Sequence, residues 1–466
     1  MSLLEHEPPT FAAGEAEALF EEARSRTQRR RRRRALAGAF VLAAAVAAYA
    51  AATTGGRGVS IAQTASTPFA DVGAFTHEGE LAFVSRGRLW VLDGRRGRLR
   101  AVSRPWQMAS DPQFSPNGRW LAYTVAGSRL WVARADGTAP KPVGSTAPKP
   151  ASYGGRGDWL PDGRLVAAEH LWRVSAAGTL VRAGAIPAEL AAWAPDGTAY
   201  AFTSERRTSS HGRAWTSIER LSISRSLGGP RRTLMTIPVS FTPRSGLSGG
   251  LFDGVYVLPH NEGVLFKLDP GGSDAADGLD LLDAAPGHRP QDLGATLGIP
   301  LTLGSPGRFA IGSGGNRYAW QTKQVEVCDA ATVRCSAVAT ARGYLSFDPA
   351  FSAATGALAF VQAPSSNAAN IGQASVHRWY ATHLLWVLRR GRSRPVAIAA
   401  TAGAAAPVWS ADGRSLLYVA DDSLWLLPAL SSKPVRVTAP LFEANVWPGY
   451  YGEVGWSSQF AWSSRA

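Results

Sequence analysis

Residues 114–137 read FSPNGRWLAYTVAGSRLWVARADG. An aromatic residue, Ser-Pro and an Asn-Gly pair lead into two apolar runs, and the second run contains Leu-Trp. Asn-Gly supplies the positive φ that tight hairpin turns require. The runs around it alternate apolar and polar residues at strand period. The phrase returns as WLPDGRLVAAEHLWRVSAAG at 159–178 and as WSADGRSLLYVADDSLWLLPA at 409–429. It is shortened to WAPDGTAYAFTS at 193–204 and worn to FTHEGELAFVSRGRLWVLDG at 75–94. Self-similarity of this kind marks a repeat architecture. Each unit spells a small antiparallel sheet, and a ring of such sheets is a β-propeller. Repeats start at Thr76, Ser115, Leu160, Ala194, near Phe252, and at Gly304, Ser352 and Ser410. The 334 residues from 76 to 410 span seven intervals of roughly 48, close to the blade period of about 40–50.

These phrases resemble the repeat of TolB-type propellers, a periplasmic family related in architecture to WD-repeat proteins. The resemblance implies an all-β fold of four-stranded blades, seven or eight here, and a scaffold role with rim loops or the axial channel as contact surface. TolB has six blades and a separate N-terminal domain, a pattern from which this chain departs.

With 466 residues and 45% hydrophobic content the chain can bury a large core, and it reads as one repeat domain. Five Lys stand against 44 Arg, the mark of a GC-rich genome of the actinobacterial kind. The net charge of +14 is therefore weak evidence for nucleic acid. The basic residues are scattered over turns rather than clustered with aromatics on one face, and no nucleic-acid partner is expected.

Six consecutive arginines at 29–34 run directly into ALAGAFVLAAAVAAYAAA at 35–52. Eighteen uncharged residues behind a positive block are just long enough to span a bilayer as a helix. Arg on the N-terminal side favours an N-terminus kept inside the cell. Ala48-Tyr49-Ala50 also fits a cleaved export signal, and Arg33-Arg34 a twin-arginine one. All three possibilities send the residues after 53 out of the cytoplasm. The expected division is a cytoplasmic leader at 1–34, a transmembrane helix or signal anchor at 35–53, a linker at 54–68, and the propeller at 69–466 with a closing segment at 441–466. Cys328 and Cys335 flank a DAAT turn, and an even pair in an exported chain reads as a disulfide. Free buried thiols are the rival reading.

Chemistry is sparse. Gly246-Leu247-Ser248-Gly249-Gly250 matches the nucleophile-elbow pattern, but an elbow needs a following helix and later Asp and His in an α/β domain. This one sits in what reads as a Gly/Ser loop. The eight His (6, 77, 170, 211, 260, 288, 377 and 383) show no ligand spacing. Asp274, Asp277 and Asp280 lack the alternation of a calcium loop. No catalytic residue, cofactor or metal is assigned. Trp90, Trp131, Trp172, Trp386 and Trp425 each follow Leu, while Trp159, Trp193 and Trp409 recur at a second position. Fixed repeat positions are what packing between blades requires. The stretches 204–217 and 363–383 read as loops that lengthen their units.

The function expected is a non-enzymatic, membrane-anchored extracytoplasmic scaffold that binds a protein or cell-envelope ligand. The alternatives are a propeller lyase or hydrolase with an axial pocket for polysaccharide or peptide, and a transmembrane sensor. The first unit reads as complete with VGAFT at 72–76 as a strand, yet VGWSSQFAWSS at 454–464 ends like the strand before each turn. Trp456, Phe460 and Trp462 are accordingly expected to close the ring, the segment pairing into the first blade and displacing or flanking VGAFT. The Arg block and apolar run predict that alkaline phosphatase fused after Ala466 is active. A silent phosphatase beside a fluorescent C-terminal green fluorescent protein contradicts this topology.

Overall fold

The computed structural model describes residues 67–464. The longer breaks are 144–157, 270–278, 284–290, 315–322, 366–378 and 442–454. The leader, the apolar run and nearly all of the linker lie outside the described residues. Among those described, no helix is long and apolar enough to cross a membrane.

Among the described residues the chain forms seven antiparallel sheets. Blade 1 spans 80–101, blade 2 109–142, blade 3 158–185, blade 4 191–248, blade 5 251–337, blade 6 344–397 and blade 7 405–439. Four strands per blade are the rule. Blade 5 has eight, because the units expected near Phe252 and Gly304 share one sheet. They join where Ala295 and Thr296 pair with Gly314 and Ser313. Glycines 312 and 314 offer no side chain to hold the next strand away, the usual meaning of Gly inside a strand. The fold is thus a seven-bladed β-propeller with one double blade.

Local chemistry explains the recurring phrase. In blade 2 the Ser115 hydroxyl accepts the Trp120 N–H at 2.9 Å, and Asn117 accepts the Arg119 N–H at 3.1 Å. Gly118 between them has φ 66°. In blade 7 Ser410 and Asp412 repeat both contacts on Ser415 and Arg414, around Gly413 at φ 69°. Asp162 and Asp196 do the same for Arg164 and Thr198. These turns define one face of the ring, here called the turn rim. The connections from second to third strand, and from each blade to the next, lie on the opposite loop rim.

The ring closes through both ends of the propeller segment. Phe460–Ser463 pairs with Glu80–Phe83 as the inner strand of blade 1, Phe460 opposite Phe83 and Ser463 opposite Glu80. Phe69–Ala70 adds a fifth strand to blade 7 beside Thr438 and Ala439. VGAFT is a turn, correcting its reading as a strand. Asp71 accepts the Ala74 N–H at 2.9 Å, and Phe75 is thereby inserted, fully buried, 6.2 Å from the Trp462 ring. Phe75, Phe83, Trp456 and Phe460 share one core with Leu417, Val419 and Leu426 of blade 7.

The stretch 204–217 is also corrected. It is a hairpin, with strands Tyr200–His211 and Ala214–Ser224 paired along their length. Its outer half shows no apolar alternation to announce a strand, and its one large apolar side chain, Trp215, packs against the core shared with blade 5. Backbone pairing, hydroxyl contacts of Thr208 and Ser209 with Thr216, and Arg207 over the Trp215 ring hold it instead. Cys328 and Cys335 face each other across neighbouring strands and are disulfide-bonded. All eight repeat-position Trp pack against core clusters.

Phe460→Ala removes a buried ring from the closure and is expected to cost about 3–5 kcal/mol. Deleting 455–466 strips blade 1 of its inner strand, and the expected result is broad, non-cooperative melting with self-association. A truncated chain that stays monomeric in sedimentation and melts like the parent refutes the closure.

Candidate functional site at the seam of blades 6 and 7

Three inner strands share a feature that the turn phrase conceals. Four residues before Ser115, Ser352 and Ser410 stand Asp111, Asp348 and Ala406, each followed by Pro. All three have positive φ, at 52°, 49° and 46°. Each lies where the pairing register shifts, between Ser110 and Gln113, Phe347 and Ala350, and Ala405 and Val408. Left-handed backbone at a non-glycine residue is costly and persists only where the surroundings enforce it. Here a β-bulge combines with a proline that supplies no N–H to the ladder.

The enforcing contacts cross blade boundaries. Asp348 Oδ2 accepts the Ala406 N–H at 3.2 Å. The Trp409 indole N–H donates to the Ala350 carbonyl at 3.0 Å, and Trp159 does likewise to Gln113 at 3.1 Å. In blade 2 the Asp111 carboxylate is bound within its own blade, by the Ser110 and Thr124 hydroxyls at 2.7 and 2.9 Å.

His383 completes the seam. It is fully buried, with Nδ1 3.2 Å from the Ala404 carbonyl. An N–H at Nδ1 satisfies that carbonyl and leaves the lone pair on Nε2, which has no hydrogen-bond partner among the described residues. Trp379, Tyr380 and Phe347 surround the imidazole at 4.4, 4.7 and 5.0 Å between ring centres. Blade 6 therefore grips Ala404–Ala406 from both sides, the imidazole on a carbonyl and the carboxylate on an N–H two residues on. Burial pushes the His383 pKa down to about 3, against the opposing pull of the Ala404 carbonyl. Burial raises that of Asp348, against the Ala406 N–H. A neutral imidazole and a carboxyl with a raised pKa can act as a clamp.

His77 is exposed and His170 stacks on Trp172 at 6.1 Å. Neither joins His383. His6, His260, His288, His377, Asp274 and Asp277 lie outside the described residues. Ser248 sits in a short edge strand, Gly246–Ser248, and the next element is the strand Leu251–Val257 rather than the helix an elbow requires. Among the described residues no three His, Cys, Asp or Glu are placed to hold a metal ion. The sequence reading missed Asp111 and Asp348. Their constant four-residue offset from the turn serine was the available signal.

No family model matches this chain, and no curated protein matches it. Solved structures similar to it include dipeptidyl peptidase 4 of Porphyromonas gingivalis, at 11% identity and TM-score 0.35, covering 76% of this chain and 48% of that one. TolB from Acinetobacter baumannii matches at 11% and 0.35, covering 78% and 64%. An oligogalacturonate lyase in complex with manganese matches at 11% and 0.36, covering 76% and 82%. The chain spans about half the length of the peptidase and under two thirds of that TolB.

Because the folded protein refuses a proton on His383 that the unfolded chain accepts, stability is lost as pH falls from 6.5 toward about 3. His383→Asn keeps an N–H for Ala404. Between pH 6.5 and 5 it is expected to lose about 2 kcal/mol less stability than the parent. Asp348 has the opposite sign, since its raised pKa lets stability fall as pH climbs through and above 3.8. Asp348→Asn retains an acceptor for Ala406 and should melt at or above the parent temperature at pH 7. Unfolding curves across pH check both, and unchanged slopes overturn the assignment.

Proposed function

We propose that this chain is a non-enzymatic binding propeller, held outside the cytoplasm by residues 35–53, that engages a protein or cell-envelope component at its loop rim. The observation carrying this reading is the difference between the two rims. On the turn rim, short loops are tied down by Ser, Asn and Asp side chains. On the loop rim the blade 4 hairpin has strands of 12 and 11 residues, against 6 for the equivalent strands Glu80–Ser85 and Arg88–Asp93 of blade 1. The excess of about six residues projects the tip roughly 20 Å. Residues 205–210 of this hairpin are exposed. The connection 365–383 of blade 6 and the one after blade 7 leave from the same rim. Phe69–Ala70, antiparallel to Val435–Ala439, enters the ring from that side too. Elaborated connections on a rigid scaffold are where recognition concentrates. A disulfide and the Arg-flanked apolar run support an oxidising, exported location.

Replacing 207–217 by Asn-Gly lets Arg206 and Ile218 close a two-residue turn; it removes the projecting tip together with Trp215, Thr216 and Ser217, which pair with Phe241, Ser240 and Val239. The expected variant still unfolds cooperatively, at a temperature below the parent because Trp215 is lost from the core, and no longer retains the partners that the parent captures from solubilised membranes. Ser209→Glu serves as a second variant should the shortened one fold poorly. An unchanged set of captured partners with both variants overturns the loop-rim reading.

A further inference from the structure

The turn between the last two strands of blade 6 reads Arg389-Arg390-Gly391-Arg392-Ser393-Arg394. The Arg392 N–H closes it on the Arg389 carbonyl at 3.0 Å, with Gly391 at φ 76°. All four arginines are exposed, and a Cβ built on Gly391 meets nothing within 4 Å, so the turn stands open to solvent. None of the four guanidinium groups has an acidic partner among the described residues.

Blade 1 provides the internal comparison, because its corresponding turn, Asp93-Gly94-Arg95-Arg96-Gly97-Arg98, is almost as basic. There Asp93 accepts the Arg95 and Arg96 N–H groups at 3.0 Å. Arg96 pairs with Asp136 at 2.9 Å and Arg95 with Glu80 at 3.5 Å. In blade 6 Leu388 precedes the turn and no acid lies within it. The equivalent turn of blade 7 contributes exposed Lys433 and no acid between Leu427 and Val435. On the other side, the last turn of blade 5 holds one acid, Asp329, already bound by the Thr332 N–H and hydroxyl at 2.8 Å. The blade 6 corner therefore carries a concentrated, unneutralised positive charge. Guanidinium forks match phosphate and carboxylate oxygens two at a time. Several forks on one open turn suit a ligand whose charges repeat along a flexible chain better than a single ion.

We infer that the outer corner of blade 6, at Arg389, Arg390, Arg392 and Arg394, binds an anionic glycan polymer bearing phosphate or carboxylate groups at short intervals. This surface lies on the turn rim and is separate from the loop rim. It rests on the proposed extracytoplasmic location only for the choice of a glycan over other polyanions, and the phosphatase fusion tests that location independently.

The test measures binding of the full chain, in detergent micelles, to polygalacturonate and to poly(glycerol phosphate) over a range of salt. The two polymers separate carboxylate from phosphate recognition. Changing all four arginines to Gln should weaken binding at least about tenfold and make the log-affinity against log-salt slope shallower by about three. Arg95→Gln with Arg96→Gln, which removes two paired arginines, should change affinity less than about twofold. The inference is overturned if the fourfold variant binds like the parent, or if the paired-arginine variant loses as much. Stronger binding to anionic lipid vesicles or to single-stranded DNA than to either polymer also overturns it, in favour of a membrane surface or general charge attraction. Equal melting temperatures for the variants show that the losses are not unfolding.

Discussion

A ring of sheets can be finished only if some strand fills the inner edge left open in its first blade. Here Phe460–Ser463 fills it against Glu80–Phe83, while Phe69–Ala70 covers the outer edge of blade 7. The two additions bind the opposite ends of the propeller segment into adjoining blades: blade 1 owes its inner strand to Phe460–Ser463, and blade 7 its outermost strand to Phe69–Ala70. Trp462 donates its indole N–H to the Glu78 carbonyl at 2.7 Å, and Ser464 accepts the Ala411 N–H from the blade 7 turn. Everything else in the propeller presupposes this junction, because an unclosed array would expose strand edges at both ends.

Between the closed ends, neighbouring blades are held by apolar faces and by a few directed hydrogen bonds. Indole N–H groups of Trp159 and Trp409 reach the inner strand of the preceding blade. At the seam of blades 6 and 7, His383 and Asp348 add two more contacts on consecutive parts of one strand. A buried imidazole held neutral gives the seam a charge-free donor, at the expense of acid stability. The bulged Asp-Pro and Ala-Pro positions concentrate strained backbone where the blades meet. Such strain is tolerable because side-chain contacts over-determine it, across the seam at Asp348 and Ala406 and within its own blade at Asp111.

The two rims are built differently. Side-chain-capped turns make the turn rim rigid and repetitive, and the blade 6 arginine corner departs from the pattern by lacking the carboxylates that neutralise its counterpart in blade 1. The loop rim carries long connections and the entry point of the chain. A hairpin projecting from one blade breaks the pseudo-symmetry of a ring, which is how a repeat scaffold acquires a single oriented binding face.

The repeat phrase alone determined the all-β propeller class, because Asp-Gly and Asn-Gly turns and period-2 runs are local physics that each unit can express by itself. The fixed positions of the Leu-Trp pairs likewise marked the packing surfaces, since inter-blade faces must recur wherever blades recur. Tertiary structure decided what depends on partners remote in sequence. VGAFT has a strand-like composition, but its place is taken by residues almost 400 positions away, and Phe75 turns inward to plug the core. The units near Phe252 and Gly304 look separate in sequence, and only the approach of Thr296 to Ser313 merges them. The polar run at 204–217 shows no apolar alternation, so its hairpin became visible only through backbone pairing. Asp348 and His383 lie 35 residues apart and are united by a third element, Ala404–Ala406, whose carbonyl and N–H no side-chain pattern can announce.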